Sequence, residues 1–536
     1  MQIETVLYNG AIYTIDGANP QVEALAIARG RVVAVGSSHA MLQLAPPNAR
    51  RIDLGRRPVL PGFIDAHIHF LAYGLSLKEI DLMGAPSLTA ALDIVAAHAA
   101  RTPAGHWLSG RGWDQSLWSG YAFPTRRDLD RVTGAHPVFL RRKCGHAGWA
   151  NSAALALAGI TAATPDPAGG AIERDPATGE PTGILKEHAM NLVGRLLRQP
   201  TPAEAVDAVA LAMRTVHRMG IVGVHNMEDG VALAALQALR EEGRLALRVV
   251  QQIPEADLDA AIQLGIRSGF GDEWIRIGAL KIFADGSLGA RSALMIEPYE
   301  GEPDNVGIAV ASADHLVSQV EKAARAGLAV HIHAIGDLAN RNVLDAIAAA
   351  RRAGIGRHLR HRIEHAQVLH PADVGRFAEL GVVASMQPIH ATQDMTLADA
   401  HWGARARLSY AWSSLLSAGA PMAFGSDAPV ETPDVLQGLY AASTRRRADG
   451  HPGPEGWYPE ESISVAEAVA AYTAGAAWSV GMEHTQGRLA PGMVADLVVL
   501  DRDILTAEPS ALLETGVVAT MVGGNVVYGV EALSSG

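Results

Sequence analysis

The sequence predicts an α/β protein: a (β/α)8 TIM-like barrel, a small β-sandwich domain built from both termini, and an inserted subdomain after the first barrel strand. Three observations carry this reading. Through the middle of the chain, apolar strand-like runs alternate with amphipathic, alanine-rich helical stretches, as in a parallel sheet joined by crossover helices. Both ends are instead rich in short β-prone runs and turns. Ligand-type side chains recur at the C-terminal ends of the central runs, where a closed parallel barrel gathers its functional residues.

The terminal element takes in residues 1–57 and 484–536. Thr5-Val6-Leu7-Tyr8, then Asn9-Gly10, then Ala11-Ile12-Tyr13-Thr14-Ile15 reads as a hairpin, because Asn-Gly suits the tight turn between two strands. Arg31–Gly36 continues the style, and Ala495–Leu500 and Val517–Tyr528 repeat it at the other end. Neither end has enough strands to bury a core alone, so the two are expected to pair.

The barrel is assigned to residues 58–483. Its eight strand candidates are Val59–Phe70, Ile221–Asn226, Ala246–Gln251, Ile275–Ala284, Ala329–Ala334, Leu359–His365, Val382–Gln387 and Ala420–Asp427. Helical stretches between them include Ala313–Ala326, Ala339–Ala353 and Pro371–Glu379. The interval between the first two strands is far longer than one crossover helix requires, and a structureless loop of that length is improbable. Residues 75–200 are therefore read as a subdomain over the barrel mouth. It holds Trp107, Trp113, Trp118, Tyr121 and Trp149, whose rings suit either a core of its own or the wall of a pocket.

Bulk properties narrow the functional classes. The 536 residues are 49% apolar and 19% charged, with a formal net charge of −12. The two signs are interspersed, which argues against nucleic acid as a partner. No apolar run is long enough to span a membrane, and the N-terminus lacks the basic start and apolar core of a signal peptide. Cys144 is the single cysteine, which rules out an intrachain disulfide and suits a reducing cytoplasm. The partner expected is a small-molecule substrate; a homodimer is left open.

The chemistry sits at the strand ends. In a strand, residues i and i+2 share a face, so Asp65, His67 and His69 point together and two imidazoles can grip one ion. His333 lies nearer the mouth than His331, and the same argument prefers His365 to His361. Asp427 ends a strand whose Ala423 and Gly425 leave room beneath it. Nitrogen and oxygen ligands suit zinc, with manganese or iron as alternatives. Lys281 shares a face with Ile277, Ala279 and Phe283, which places an ammonium inside the barrel. That is costly unless it pairs with a carboxylate such as Asp285 or loses its proton and adds carbon dioxide to become a carbamate.

These segments resemble the amidohydrolase superfamily, and more closely its branch around the N-substituted formamide deformylases. The resemblance covers nearly the whole chain. It rests on Leu60–His69, Lys281–Ser292, His333–Asp337, Arg362–Gln367, Gly425–Val430 and Gly487–Val498. It implies that His67, His69 and Asp427 hold one metal ion, that His333 and His365 hold a second, and that carboxylated Lys281 bridges them. Some members keep one metal, so occupancy by one or two divalent ions stays open. The expected reaction is hydrolysis of a non-peptide amide-type C–N bond, in an N-substituted formamide or related linear amide, by hydroxide that the metal activates. Asp427 is the expected catalytic base. Ser287 and Arg291 follow the Lys281 strand and are expected to bind substrate. His146 lies in a segment resembling a recurrent family stretch, and with Trp113 it is expected to reach the pocket from the insert. His390 and His401 are read as mouth or solvated loop residues. Cyclic amide opening or deamination on the same scaffold is the alternative chemistry, and a catalytically silent metal-stabilised scaffold the non-enzymatic one.

Overall fold

The computed structural model describes residues 2–197 and 200–533. Eight parallel strands form the barrel: β1 (Phe63–Ile68), β2 (Ile221–Asn226), β3 (Arg248–Pro254), β4 (Ile275–Phe283), β5 (Ala329–Ala334), β6 (Arg362–His365), β7 (Val383–Met386) and β8 (Met422–Phe424). They are hydrogen-bonded in chain order from β1 to β8. The ring closes just beyond the last strand: the Asp427 N–H donates to His67 O at 2.7 Å, and the His69 N–H to Ala428 O at 2.8 Å. Gly425 permits this approach, since a Cβ there would collide with the His67 backbone nitrogen.

Helices pack on the outside of the ring. The helix Pro202–His217 shows why they form: Thr201 and Glu204 make a reciprocal capping box and Pro202 occupies the first turn, where its missing N–H is harmless. Its buried face is Ala205, Ala208, Val209, Ala212, Met213 and Val216, the spacing of one helical stripe. Each larger side chain so buried contributes about 1.5–3 kcal/mol. Ala313–Arg325, Asp337–Arg352 and Pro371–Leu380 form where the sequence places them, to within two residues.

The stretch 59–70, read as one strand, is two strands and the start of a helix. Pro58–Pro61 lies in a six-stranded sheet, antiparallel to Leu497–Leu500 and parallel to Ala11–Tyr13. At Gly62 the chain changes sheets: its N–H donates to Asp496 O, whereas the Phe63 N–H donates to Gly220 O, both at 3.0 Å. The helix Phe70–Ser76 follows His69. A second, four-stranded sheet of Arg31–Gly36, Ala24–Ala28, Thr5–Tyr8 and Arg50–Asp53 packs on the first. Leu7, Ile12, Leu25, Val59, Leu497, Val499 and Met521 fill the space between them, so both termini build one core.

After β1 the insert forms its own six-stranded sheet, from Ile80–Asp81 through to Gly170–Arg174. Trp113, Trp118 and Trp149 pack together in its core, mostly edge to face, with ring centroids 6.0–6.4 Å apart. No helix among the described residues is long and apolar enough to cross a membrane.

Candidate metal centre

The end of β1 is held in place from beneath. Buried Asp65 accepts the N–H groups of His67 (3.1 Å) and Ser426 (3.0 Å) and the Ser426 hydroxyl (2.6 Å), tying β1 to the end of β8. Burial pushes its carboxyl up to about 6, against the pull of those donors. His67 follows, and its Nδ1–H donates to Glu364 at 2.6 Å. Glu364 is gripped from below by Arg362 through two bonds of 2.8 and 2.9 Å, all of it buried. Arg362 also donates to Ser385, to Ala66 O and to His225 Nδ1, so this charged pair is fully satisfied. Burial alone would raise the Glu364 carboxyl; Arg362, then His67, override it and hold it well below the ordinary carboxylate range.

The other imidazoles are oriented in the same one-sided way. His365 donates from Nδ1 to Gln387 Oε1 at 2.7 Å, and His333 from Nε2 to Gly286 O at 2.9 Å. His67 and His365 each keep Nε2 free for the centre, and His333 keeps Nδ1; tying one ring nitrogen back is how proteins fix the tautomer of a metal-binding histidine. His67, His365 and Asp427 offer ligand atoms within 4.8 Å of one another. His69 joins them with Nε2 3.3 Å from Asp427 Oδ1. The His333 ring lies 4.6 Å from that of His365.

Lys281 Nζ, Asp427 Oδ1 and His390 Nε2 are buried here without a hydrogen-bond partner. The ammonium lies over the Phe283 ring, 4.3 Å from its centre, and burial pulls its pKa down to about 8. Burial and neighbouring cations hold His333 and His365 neutral, the state in which an imidazole can ligate. His67 is raised instead, because Asp427 and Glu364 outweigh its desolvation; a cation would displace that proton. Asp427 is held well below the carboxylate range despite burial, by His67, His69 and His365.

Backbone strain coincides with this cluster. His365 has φ 76° and Asp427 φ 59°, left-handed values that non-glycine residues adopt at a cost of about 1–3 kcal/mol each. At β6 this overturns the parity argument. Arg362 and Glu364 are the inward residues, and the turned backbone swings His365 into the site from out of phase.

The centre forms the floor of a cavity of about 420 Å3, walled by residues including Met190, Phe283, Val310 and Val430. A side chamber of about 40 Å3 opens from it, lined by Arg142, Lys143, Ser287, His390, Asp394 and Glu431 among others. His146 and Ser287 line these spaces. The His146 ring is 5.1 Å from that of His333, and its Nδ1 lies 2.7 Å from Glu187 Oε2. Burial would lower its pKa, but Glu187 lifts it to about 9.

Two expected substrate contacts do not reach the cavity. Trp113 is fully buried in the core of the insert and donates its indole N–H to Leu140 O at 2.8 Å. Arg291 is paired with Glu302 and lies over Phe123. His401 packs on Tyr299, away from the centre. His390, by contrast, is buried and stacks on His365, with Nε2 4.0 Å from Asp427 Oδ2. Cys144 is half-buried on the wall between the two spaces. Sequence reasoning gave no role to Glu187 or Gln387. For Glu364 a signal existed in its inward parity next to a ligand-type histidine; for Glu187, brought from the insert, none did.

Comparison with known proteins agrees with this architecture. A model of the amidohydrolase family matches residues 50–528. The chain is 30% identical to the N-substituted formamide deformylase of Arthrobacter pascens, over 98% of each protein. It is 33% identical to Protein LONG AFTER FAR-RED 3 of Arabidopsis thaliana, over 98% of this chain and 91% of that one. Among solved structures, an uncharacterized metal-dependent hydrolase from Pyrococcus horikoshii superposes with a TM-score of 0.76 at 29% identity, covering 94% of this chain and 99% of that one. With a family model spanning the whole barrel and the C-terminal strands of the sandwich, the chain belongs to the amidohydrolase family.

Proposed function

We propose that this chain hydrolyses the C–N bond of small linear amides, with N-substituted formamides as the favoured class. One observation carries the reading. Lys281 Nζ and Asp427 Oδ1, buried and without a hydrogen bond, face the same cavity floor as the imidazoles of His67, His69, His333 and His365, with Asp427 Oδ1 3.3 Å from His69 Nε2. A nitrogen and oxygen donor set of this kind fits a divalent ion such as zinc or manganese.

His67, His69 and Asp427 would hold one ion and His333 and His365 a second. Lys281 would support such a pair as a carbamate: the ammonium first gives one proton to solvent, the freed lone pair adds to the carbon of CO2, and the nitrogen gives up a second proton, leaving one negative charge shared by two oxygens. An orphaned ammonium becomes an anion among cations. When bound, a divalent ion polarises the amide carbonyl and lowers the pKa of water toward neutrality.

The chain's own residues supply the rest. Asp427 accepts a proton from the attacking water and returns it to the departing nitrogen, which leaves as an amine. Its φ of 59° and the seam bond of its N–H fix the carboxylate over the floor. His146, oriented by Glu187, lies across from it and suits the carbonyl side of the substrate. The side chamber is the narrower space and suits a small acyl group, whereas the wider cavity, with Phe283 and Met190 in its wall, suits a bulkier apolar group on nitrogen. The 30% identity to a formamide deformylase supports this substrate class.

The test is release of acid from a panel of N-substituted formamides, acetamides, longer linear amides and lactams by protein loaded with zinc or manganese. Formamides should be turned over at least about tenfold faster than their acetamide counterparts. Turnover confined to lactams, or to exocyclic ring amines, would overturn the proposal.

A further inference from the structure

The opposite end of the barrel holds a second cavity, of about 220 Å3, where β4, β5 and the segment before β6 begin. Its wall carries Arg276, His358 and Arg360, its floor is His331, and no carboxylate lines it among the described residues. In a chain with a formal charge of −12, a pocket lined only by cationic and neutral side chains is unusual.

The three basic residues are not equivalent. Arg360 is held by Glu483 through two bonds of 2.8 and 2.6 Å and lies over Trp478, so its charge is largely answered. Arg276 is not answered. Its guanidinium donates from Nη1 to the Met482 thioether at 3.0 Å, a weak acceptor, and its buried Nε has no partner. Among the described residues it has no carboxylate within ion-pair range. Gly269 fences it in, since a Cβ there would stand 2.8 Å from Nη2. A planar fork of donors, held in place and short of acceptors, matches the oxygens of a phosphate, sulfate or carboxylate. Beneath it, buried His331 closes the floor, with its Nδ1 turned to Glu364 Oε1 at 3.7 Å.

We propose that this cavity is a binding site for a small oxyanion, with Arg276 as its anchor and Arg360 and His358 as its flanks. It is separate from the metal centre, because His331 and the Arg362–Glu364 pair fill the barrel between them. The ligand chemistry is an anionic group with two or more oxygens, supplied either as an inorganic tetrahedral ion or as the carboxylate of a small organic acid.

The test uses the full chain loaded with zinc. Crystals soaked in selenate should show its anomalous signal within hydrogen-bond distance of the Arg276 guanidinium. In solution, sulfate stabilises proteins generally by exclusion from their surface, so the reading is the difference between wild type and Arg276→Met, each against sodium chloride of equal ionic strength. Wild type should gain about 1–2 °C in Tm more than the variant at saturating sulfate. Arg276→Lys, which keeps the charge and loses the fork, should fall between. Repeating the titration with acetate separates the sources: a larger gain with sulfate assigns an inorganic ion, a larger gain with acetate a carboxylate, and either supports the site. An equal shift in wild type and Arg276→Met, or selenate found only elsewhere, would overturn it. Turnover of Arg276→Met, which lies outside the catalytic machinery, reports that the variant is folded.

Discussion

The two ends of the barrel treat buried charge in opposite ways. At the lower end, charges are answered in pairs. Arg248, at the start of β3, is clamped by Asp496 through two bonds, one of 3.0 Å, and Asp496 also accepts the Gly523 N–H at 2.7 Å. Arg360 and Glu483 do the same. At the upper end, the imidazoles of the candidate centre are answered on one side only: Glu364 holds the back of His67, Gln387 the back of His365, and the faces toward the centre make no hydrogen bond to a neighbouring layer. A closed pair fastens one layer to another, here the sandwich to the barrel. A half-open group is rigid and yet unspent, which is what binding and catalysis require. Arg276 is the exception at the lower end, and for that reason it reads as a site.

Four substitutions or conditions probe this division, from the largest expected effect to the smallest. Asp427→Asn should lower turnover by about 10²–10⁴-fold while metal content, measured by elemental analysis, stays largely intact. Full activity in that variant would remove Asp427 from the chemistry. Arg248→Met leaves Asp496 buried without its cation, and should cost about 3–5 kcal/mol in urea unfolding. Its turnover per folded molecule should be unchanged; a loss of activity without a loss of stability would erase the contrast between the ends. Glu364→Gln keeps the shape but weakens the grip on His67, and should reduce metal affinity by about 10–100-fold in chelator competition.

The smallest effect is on stability against pH. His217 is buried, its Nε2–H donating to Ala246 O at 3.0 Å, and burial lowers its pKa from 6.5 to about 4. The unfolded chain therefore binds a proton in that window that the folded chain refuses. The contribution is complete above pH 6.5 and is lost as pH falls toward 4, by roughly 2 kcal/mol at about pH 5. His217→Gln should flatten the Tm-against-pH curve over this range, and an unchanged slope would show that other groups govern it.

Much of the barrel was legible because its strands are apolar runs bounded by turn residues. Ile221–Asn226 and Ala329–Ala334 form with the limits their sequence suggests. What was not legible depends on partners remote in the chain. No local pattern says that Pro58–Pro61 pairs with Leu497–Leu500 while Phe63–Ile68 pairs with Ile221–Asn226. His365 was singled out by alternation, yet it reaches the site through a left-handed backbone that alternation cannot express. Trp113 was a plausible pocket residue until the neighbouring tryptophans and Leu140 O absorbed it. His390 looked like a solvated loop histidine because nothing nearby in sequence shows that it stacks on His365. Glu187 lies in the insert, and only the folded contact with His146 gives it meaning.

The seam between β1 and β8 has a mechanical consequence. It closes through the N–H groups of His69 and Asp427, and these same residues offer side chains to the candidate centre. An ion held by both would act as a removable cross-link between the first and last strands of the barrel, as a disulfide does between distant cysteines but opened by acid or a chelator instead of a reductant. Losing the ion and loosening the ring would then be one event. The hoop that supports the chemistry would be buckled by the atoms that perform it.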